Sequence, residues 1–480
     1  MRKIKLLYVL MFCSITLIAQ RQSTIIQKWL KQTPFEEARF ALYAIDLSSG
    51  KARYAYHIDD KMIPASVTKL ITTATALELL TDTFRFKTVL SYDGTLTNGV
   101  LEGNVYIEGG GDPSLGSTHL VDPVFLPQWI TAIRQQGIQS IKGRVIADAR
   151  IFDTEGTSGK WLQEDLGSYY GAGSYGLNVY DNTYTLTLRT RAVGSKPQLI
   201  RTHPQQPSLH FHNYLVTAEV PSDSCYILGY PFSKERWLRG VLPPYAKDLK
   251  IKGDLSDPPV YLAQILTNAL RTAGISVEQP GTSCRLLTEQ GALLEKRRHP
   301  FFRFESPDLG ELVRITNQVS HNLFADAFIK TLGIHFSSLK SKNCSCNDFA
   351  QGVSVVSDFW QQKGIDISPL VMYDGSGLSN TTQLSARMLC TILRTEQYNE
   401  VFRASFPVAG CSGTMRYFLD QTKLENKAFL KSGSMTGVKS YAGYIKEENK
   451  TYAIALFVNG YRCEGSEVRR ALEQLFLRLF

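Results

Sequence analysis

The stretch Pro64-Ala65-Ser66-Val67-Thr68-Lys69-Leu70-Ile71-Thr72-Thr73-Ala74-Thr75-Ala76-Leu77-Glu78-Leu79-Leu80 decides the reading of this chain. Proline opens a helix at no loss, because its missing N–H would lack a partner in the first turn. Val67, Leu70, Ile71, Ala74 and Leu77 spread apolar side chains over more than one side, which predicts a buried central helix. Lys69 and Glu78 are its only charges. Ser66 and Lys69, three apart, share a face of the first turn. A lysine at a buried helix start is costly unless paired or neutral. The partial positive charge of the helix N-terminus pushes it towards the neutral amine. A neutral amine beside a hydroxyl is a general base beside a nucleophile.

Around this helix the two ends of the chain read as one domain. A short helix fits residues 22–31. Ala38–Asp46 and Ala52–His57 then alternate as strands across Ser48-Ser49-Gly50-Lys51. Near the other end, Ser440–Lys446 and Thr451–Val458 form a hairpin over Glu447-Glu448-Asn449-Lys450. Leu472, Leu475, Phe476 and Leu479 give residues 466–480 a helical stripe. These parts predict one antiparallel sheet flanked by helices, an α/β (α+β) domain made of residues 22–90 and 301–480. Residues 91–300 are richer in strand patterns and turns, as in Thr183-Tyr184-Thr185-Leu186-Thr187-Leu188. They read as an insertion of mostly β structure, with two nested domains expected.

With 480 residues, two or three domains are expected. Arg2, Lys3 and Lys5 precede an apolar run from Leu6 to Ile18, and Ala19 precedes Gln20-Arg21-Gln22. Residues 1–19 therefore read as a secretory signal peptide cut near Ala19. Cleavage removes three cations and lowers the net charge from +9 to about +6. That mild, diffuse bias suits an anionic wall polymer and not nucleic acid. No later stretch is long and apolar enough to span a bilayer, so membrane association is expected to be peripheral at most. Seven cysteines follow the signal: Cys225, Cys284, Cys344, Cys346, Cys390, Cys411 and Cys463. An odd number cannot all pair, and their spacing matches no zinc ribbon or finger.

Ser-x-x-Lys by itself recurs by chance in many sequences. Here two further motifs follow in order. Ser320-His321-Asn322 opens an apolar helical stretch with Leu323, Phe324, Ala327 and Phe328. Lys431-Ser432-Gly433-Ser434 leads into the C-terminal hairpin. Ser-x-x-Lys, Ser-x-Asn and Lys-Ser/Thr-Gly form the signature set of the penicillin-recognising serine enzymes. Gly109-Gly110-Gly111-Asp112-Pro113-Ser114-Leu115, Asp374-Gly375-Ser376-Gly377-Leu378-Ser379 and Gly410-Cys411-Ser412-Gly413-Thr414-Met415-Arg416 add to the match. With these blocks the chain resembles the class C low-molecular-mass penicillin-binding proteins, the D-Ala-D-Ala carboxypeptidases and endopeptidases of peptidase family S13. The resemblance covers nearly all of the chain after the signal.

The resemblance implies a transpeptidase-type fold shared with β-lactamases, an exported enzyme of the periplasm or cell envelope, and covalent inhibition by β-lactams. It implies that Lys69 takes the proton of Ser66, whose oxygen attacks the penultimate D-Ala carbonyl of a wall stem peptide. The N–H groups of Ser66 and Ser434 hold the oxyanion, and Ser320 relays the proton to the leaving nitrogen. Asn322 bonds the substrate amide. Lys431, with the hydroxyls of Ser432 and Ser434 beside Gly433, receives the terminal carboxylate. No metal or cofactor is expected. Two departures stand out: His321 occupies a position more often Asn or Asp, and Ser432 replaces the commoner Thr. The rival expectations are a non-catalytic wall-binding or β-lactam-sensing protein of the same fold, and a β-lactamase, which the long insertion disfavours. None of the three motifs lies in 91–300, so the insertion is expected to position bulky substrate or to shape access to the cleft, and not to do chemistry.

Other chemistries find no support. Gly171-Ala172-Gly173-Ser174-Tyr175-Gly176 matches a dinucleotide fingerprint by letter but lacks the flanking strand and helix. Gly109–Asp112 lacks the Gly-Lys-Ser/Thr of a phosphate loop. There is no H-E-x-x-H and no G-x-S-x-G elbow.

Overall fold

A computed structural model describes residues 25–33, 35, 37–122, 124–294, 297–338 and 347–480. Residues 1–19, expected to be a signal peptide, and the Cys344-Ser-Cys346 pair lie outside these residues. The described chain divides into two compact units: Met1–Leu79 with Val313–His321 and Val353–Phe480, and Leu80–Leu312 with Asn322–Gly352.

The first unit is built on a five-stranded, wholly antiparallel sheet. Its strands are β1 (Arg39–Asp46), β2 (Ala52–Tyr56), β3 (Ala428–Met435), β4 (Val438–Glu447) and β5 (Lys450–Asn459), in the order β2-β1-β5-β4-β3. The N-terminal hairpin joins the C-terminal one through β1 and β5, with Leu42 opposite Leu456. The two ends therefore close one sheet, as their alternation predicts. β5 is buried almost throughout because helices cover both faces. The C-terminal helix Gly465–Leu479 brings Leu472, Leu475 and Phe476 into one core with Trp29, Phe40 and Leu456. On the sheet's opposite side, the helix Ala386–Thr395 sends Cys390 Sγ to the Tyr43 carbonyl and receives Tyr444 Oη at Leu393.

The central helix α1 (Lys69–Leu80) follows a 3-10 turn, Ala65–Thr68, so Ser66 lies in the turn and Lys69 opens the helix proper. Four threonines would be odd on a buried helix were their hydroxyls idle. Thr68, Thr73 and Thr75 return theirs to carbonyls three or four residues back, and Thr72 gives its own to Gly375 O. Trp360 Nε1 also donates to Thr75 Oγ1. The helix is thus fixed by polar bonds inside an apolar setting.

The second unit carries most of the remaining strands. Lys87–Tyr92 pairs with both Val105–Glu108 and His299–Glu305 in one five-stranded sheet, and a four-stranded sheet runs through Thr95–Thr97. Three smaller sheets lie between Thr183 and Asp254. The expected boundaries 90/91 and 300/301 would cut through the pair that places Leu90 opposite Phe302. The compact units change instead at 79/80 and 312/313. Asn322–Gly352, expected with the ends of the chain, falls in the second unit.

Candidate active site

Ala65 adopts a left-handed backbone, φ +49°, immediately before Ser66. Such a conformation costs a residue with a Cβ about 1–2 kcal/mol. It turns Ser66 out of the buried segment: Ala65 and Val67 are buried, Ser66 half-buried. Lys69 is fully buried, and its Nζ donates to Ser66 Oγ at 3.0 Å and to the Ser376 carbonyl at 2.6 Å. The Asp374–Ser379 block makes this second bond possible. Buried Asp374 accepts the N–H groups of Gly377 at 2.6 Å and Ser379 at 2.9 Å, which curls the loop and aims the Ser376 carbonyl at the amine. Gly377 has φ +72°, and a Cβ there would stand 2.2 Å from Ala65 O. Only glycine allows this approach.

A second serine–lysine pair stands in the same unit. Ser320, at φ +61°, follows the helix α2 (Leu309–Val319). Buried Asn317 ties this end of α2 to Ser405 Oγ at 2.8 Å and to Thr73 Oγ1 at 3.3 Å, and Gln318 Nε2 donates to Phe406 O. Lys431, fully buried on the edge strand β3, donates to Ser320 Oγ at 2.8 Å and to Ser432 O at 2.7 Å. Burial pushes the Lys431 ammonium well below its ordinary range, and the charges of Lys69 and Lys439 push the same way. The two pairs therefore feel each other.

Gly433 lets β3 pass against the nucleophile's turn: a Cβ there would lie 2.6 Å from Pro64 O and 3.1 Å from Ser66 N. Ser440 on β4 bonds Pro64 O at 2.5 Å and locks the contact. Half-buried Ser432 donates to Thr414 Oγ1 at 3.0 Å, and exposed Ser434 accepts from Lys439 Nζ at 2.6 Å.

The structure thus brings Ser66, Lys69, Ser320, Lys431, Ser432, Gly433 and Ser434 into one unit. Asn322 belongs to the second unit. It opens the helix α3 (Asn322–Phe336), and its Nδ2 donates to Tyr170 O at 2.7 Å. Tyr170 lies in the insertion, in the turn Tyr169–Gly171. The backbone of residues 91–300 thus holds this signature side chain. His321 is half-buried, with its N–H on Thr316 O. Sequence reasoning missed Thr414, Lys439 and the Ser376 carbonyl as neighbours of the motif residues. The Thr436-Gly437 turn was a usable signal for Lys439, since a two-residue turn sets it opposite Ser434.

The chain is similar to known proteins over most of its length. The model of the D-Ala-D-Ala carboxypeptidase 3 (S13) family matches residues 22–479. The D-alanyl-D-alanine carboxypeptidase DacB of Haemophilus influenzae is 25% identical over 407 residues, 83% of this chain and 81% of that protein. The D-alanyl-D-alanine carboxypeptidase of Actinomadura sp. (strain R39) is 24% identical over 447 residues, 90% of this chain and 80% of that protein. The crystal structure of penicillin binding protein 4 (dacB) from Haemophilus influenzae superposes with a TM-score of 0.79 at 22% identity, covering 95% of this chain and 99% of that one.

Proposed function

Because this chain belongs to the D-Ala-D-Ala carboxypeptidase 3 (S13) family, we propose that it hydrolyses D-Ala-D-Ala termini of wall stem peptides through an acyl-enzyme on Ser66. The observation that carries the assignment is the 3.0 Å bond between the buried Lys69 amine and Ser66 Oγ. Lys69 accepts the Ser66 proton as the oxygen attacks the penultimate carbonyl. The N–H groups of Ser66 and Ser434 receive the oxyanion, a contribution of about 3–4 kcal/mol in such sites. Ser320 passes a proton to the leaving D-Ala nitrogen. The amine of Lys431, 2.8 Å away and held low by burial, keeps that relay supplied. The hydroxyls of Ser432 and Ser434 meet the terminal carboxylate. Asn322 bonds the substrate amide, its own orientation held by Tyr170 O. Water then releases the acyl group, and β-lactams acylate the same oxygen.

The domain reading that goes with this chemistry takes residues 22–90 and 301–480 as the penicillin-binding part. The inserted β modules present bulky wall substrate. Export rests on the basic start and apolar run of residues 1–19. Among the described residues no helix is long and apolar enough to cross a membrane. One experiment tests both proposals: protein extracted from the cell envelope is labelled with penicillin and mapped by mass spectrometry. The adduct is expected on Ser66 and the N-terminus just after Ala19, with Ser66→Ala folded and unlabelled. An adduct on another serine overturns the nucleophile, and an intact Met1 overturns cleavage.

A further inference from the structure

Strand alternation separates the side chains of the edge strand into two sets. Lys431 and Gly433 face Ser320 and the Ser66 turn. Ser432 and Ser434 face the other way, and cross-strand register puts Lys439 directly opposite Ser434 on that same face. Its ammonium reaches Ser434 Oγ at 2.6 Å, and Ser432 Oγ reaches Thr414 Oγ1 at 3.0 Å. A row of three hydroxyls and one cation thus lies on that face, along the edge strand that passes the nucleophile's turn at Gly433.

The charge in this row has no counterion of its own. Among the described residues no carboxylate stands within ion-pair distance of Lys439 or Lys431. The charged neighbour from the C-terminal helix is Arg469, which is also positive and adds to burial in pushing Lys439 down to about 8. The Tyr441 ring lies 5.2 Å from its ammonium. Lys431 directs its bonds at Ser320 Oγ and its own chain's Ser432 O, so its ammonium points away from the hydroxyl row. A binding site with donors on one face and unopposed positive charge recognises an anion.

We propose that Lys439 is a specificity-determining residue, the cation that receives the substrate's C-terminal carboxylate together with Ser434, Ser432 and Thr414. The proposal rests on the assignment of Ser66 and deepens it. It also gives the Gly410–Arg416 block a task, because that block supplies Thr414.

The test compares a D-Ala-D-Ala peptide with its C-terminal carboxamide in the wild type, Lys439→Met and Lys439→Arg. In Lys439→Met, KM for the acid should rise about tenfold, the worth of one hydrogen bond to a charged group. Its kcat should change much less, and the preference for acid over carboxamide should shrink by the same factor. Lys439→Arg should restore most of that preference. Should Lys439→Met not fold, Lys439→Gln keeps a donor and most of the stem without the charge and carries the same expectation. An unaltered acid-to-carboxamide ratio overturns the role of Lys439, as does an equal loss of kcat on both peptides. Ser66 labelling on the same preparations keeps the two assignments apart. A wild type that labels elsewhere removes the Ser66 assignment and this one with it.

Discussion

Lys330 in the second unit and Lys431 in the first are both completely buried, and the two are compensated in opposite ways. Lys330 in the second unit lies on α3 and donates to Asp153 Oδ1 at 3.1 Å and to the carbonyls of Glu155 and Ser174. Asp153 in turn accepts the Asp348 N–H, so the ammonium ties the 153–174 loop to two helices. Lys431 in the first unit has only a hydroxyl and a carbonyl as bonded acceptors, and its charged neighbours are both lysines. Burial lowers the proton affinity of both amines. Only Lys330 is given a carboxylate to offset it. A buried charge without a partner is expensive, and a fold keeps one where chemistry needs a deprotonable amine or an anion is still to arrive. On the proposed mechanism, the contrast is one between a structural cation and a working one.

The largest effect should come from breaking the working side. Lys431→Met removes the amine that faces Ser320 and should lower kcat/KM about a thousandfold, within the range for a lost general acid–base partner. Stability should hold or rise by about 1 kcal/mol, since a poorly compensated buried cation is replaced by an apolar side chain of similar volume. Urea unfolding beside peptide hydrolysis reads both. A thousandfold loss accompanied by clear destabilisation would place Lys431 with Lys330 as structural.

Breaking the structural side should do the reverse at smaller scale. Lys330→Met leaves the Asp153 carboxylate without its ion pair and should cost about 2 kcal/mol. The cost stays below that of a fully dry pair because Asp153 keeps contact with water, 28% of its side chain being exposed. Folded protein should retain kcat within about threefold, since no reacting group has been touched. A large fall in kcat at full stability would show that the 153–174 loop, through Tyr170 O and Asn322, governs the chemistry.

The same contrast explains what was legible in the sequence. The sheet was readable because alternation and a helical stripe at both chain ends are local signals, and closing β1 on β5 needs only that both faces find cover. The Ser66–Lys69 pair was readable because three residues on one turn must meet. Meeting of Ser320 with Lys431 was carried only by the resemblance, since no local rule joins positions 111 residues apart. The Lys330–Asp153 bond gave no signal at all. A lysine in an apolar helix looks the same whether it is paired or not, and its partner lies 177 residues away. One strand pairing was hidden for a related reason: Lys87–Tyr92 and His299–Glu305 are ordinary strands until each is seen to pair with the other.

The smallest effect belongs to Ser432→Thr, which restores the commoner residue of the motif. Ser432 sits mid-strand on β3, opposite Tyr441, half-buried, with its hydroxyl on Thr414 Oγ1. A β-branched residue suits an extended edge strand, so the added methyl should raise stability by a few tenths of a kcal/mol, within the roughly 1 kcal/mol span of strand preferences. The hydroxyl survives, so the donor offered to a terminal carboxylate is kept and kcat/KM should stay within about threefold of the wild type. Ser432→Ala is the control: it removes the donor and should raise KM about tenfold if the hydroxyl meets the carboxylate. Thermal unfolding and acid-peptide hydrolysis on both variants decide the matter. If threonine were to cost as much as alanine, the extra methyl would be crowding the row formed with Thr414, Ser434 and Lys439. Serine would then be there for room, and the edge of β3 would be a fitted receptor and not merely a source of hydroxyls.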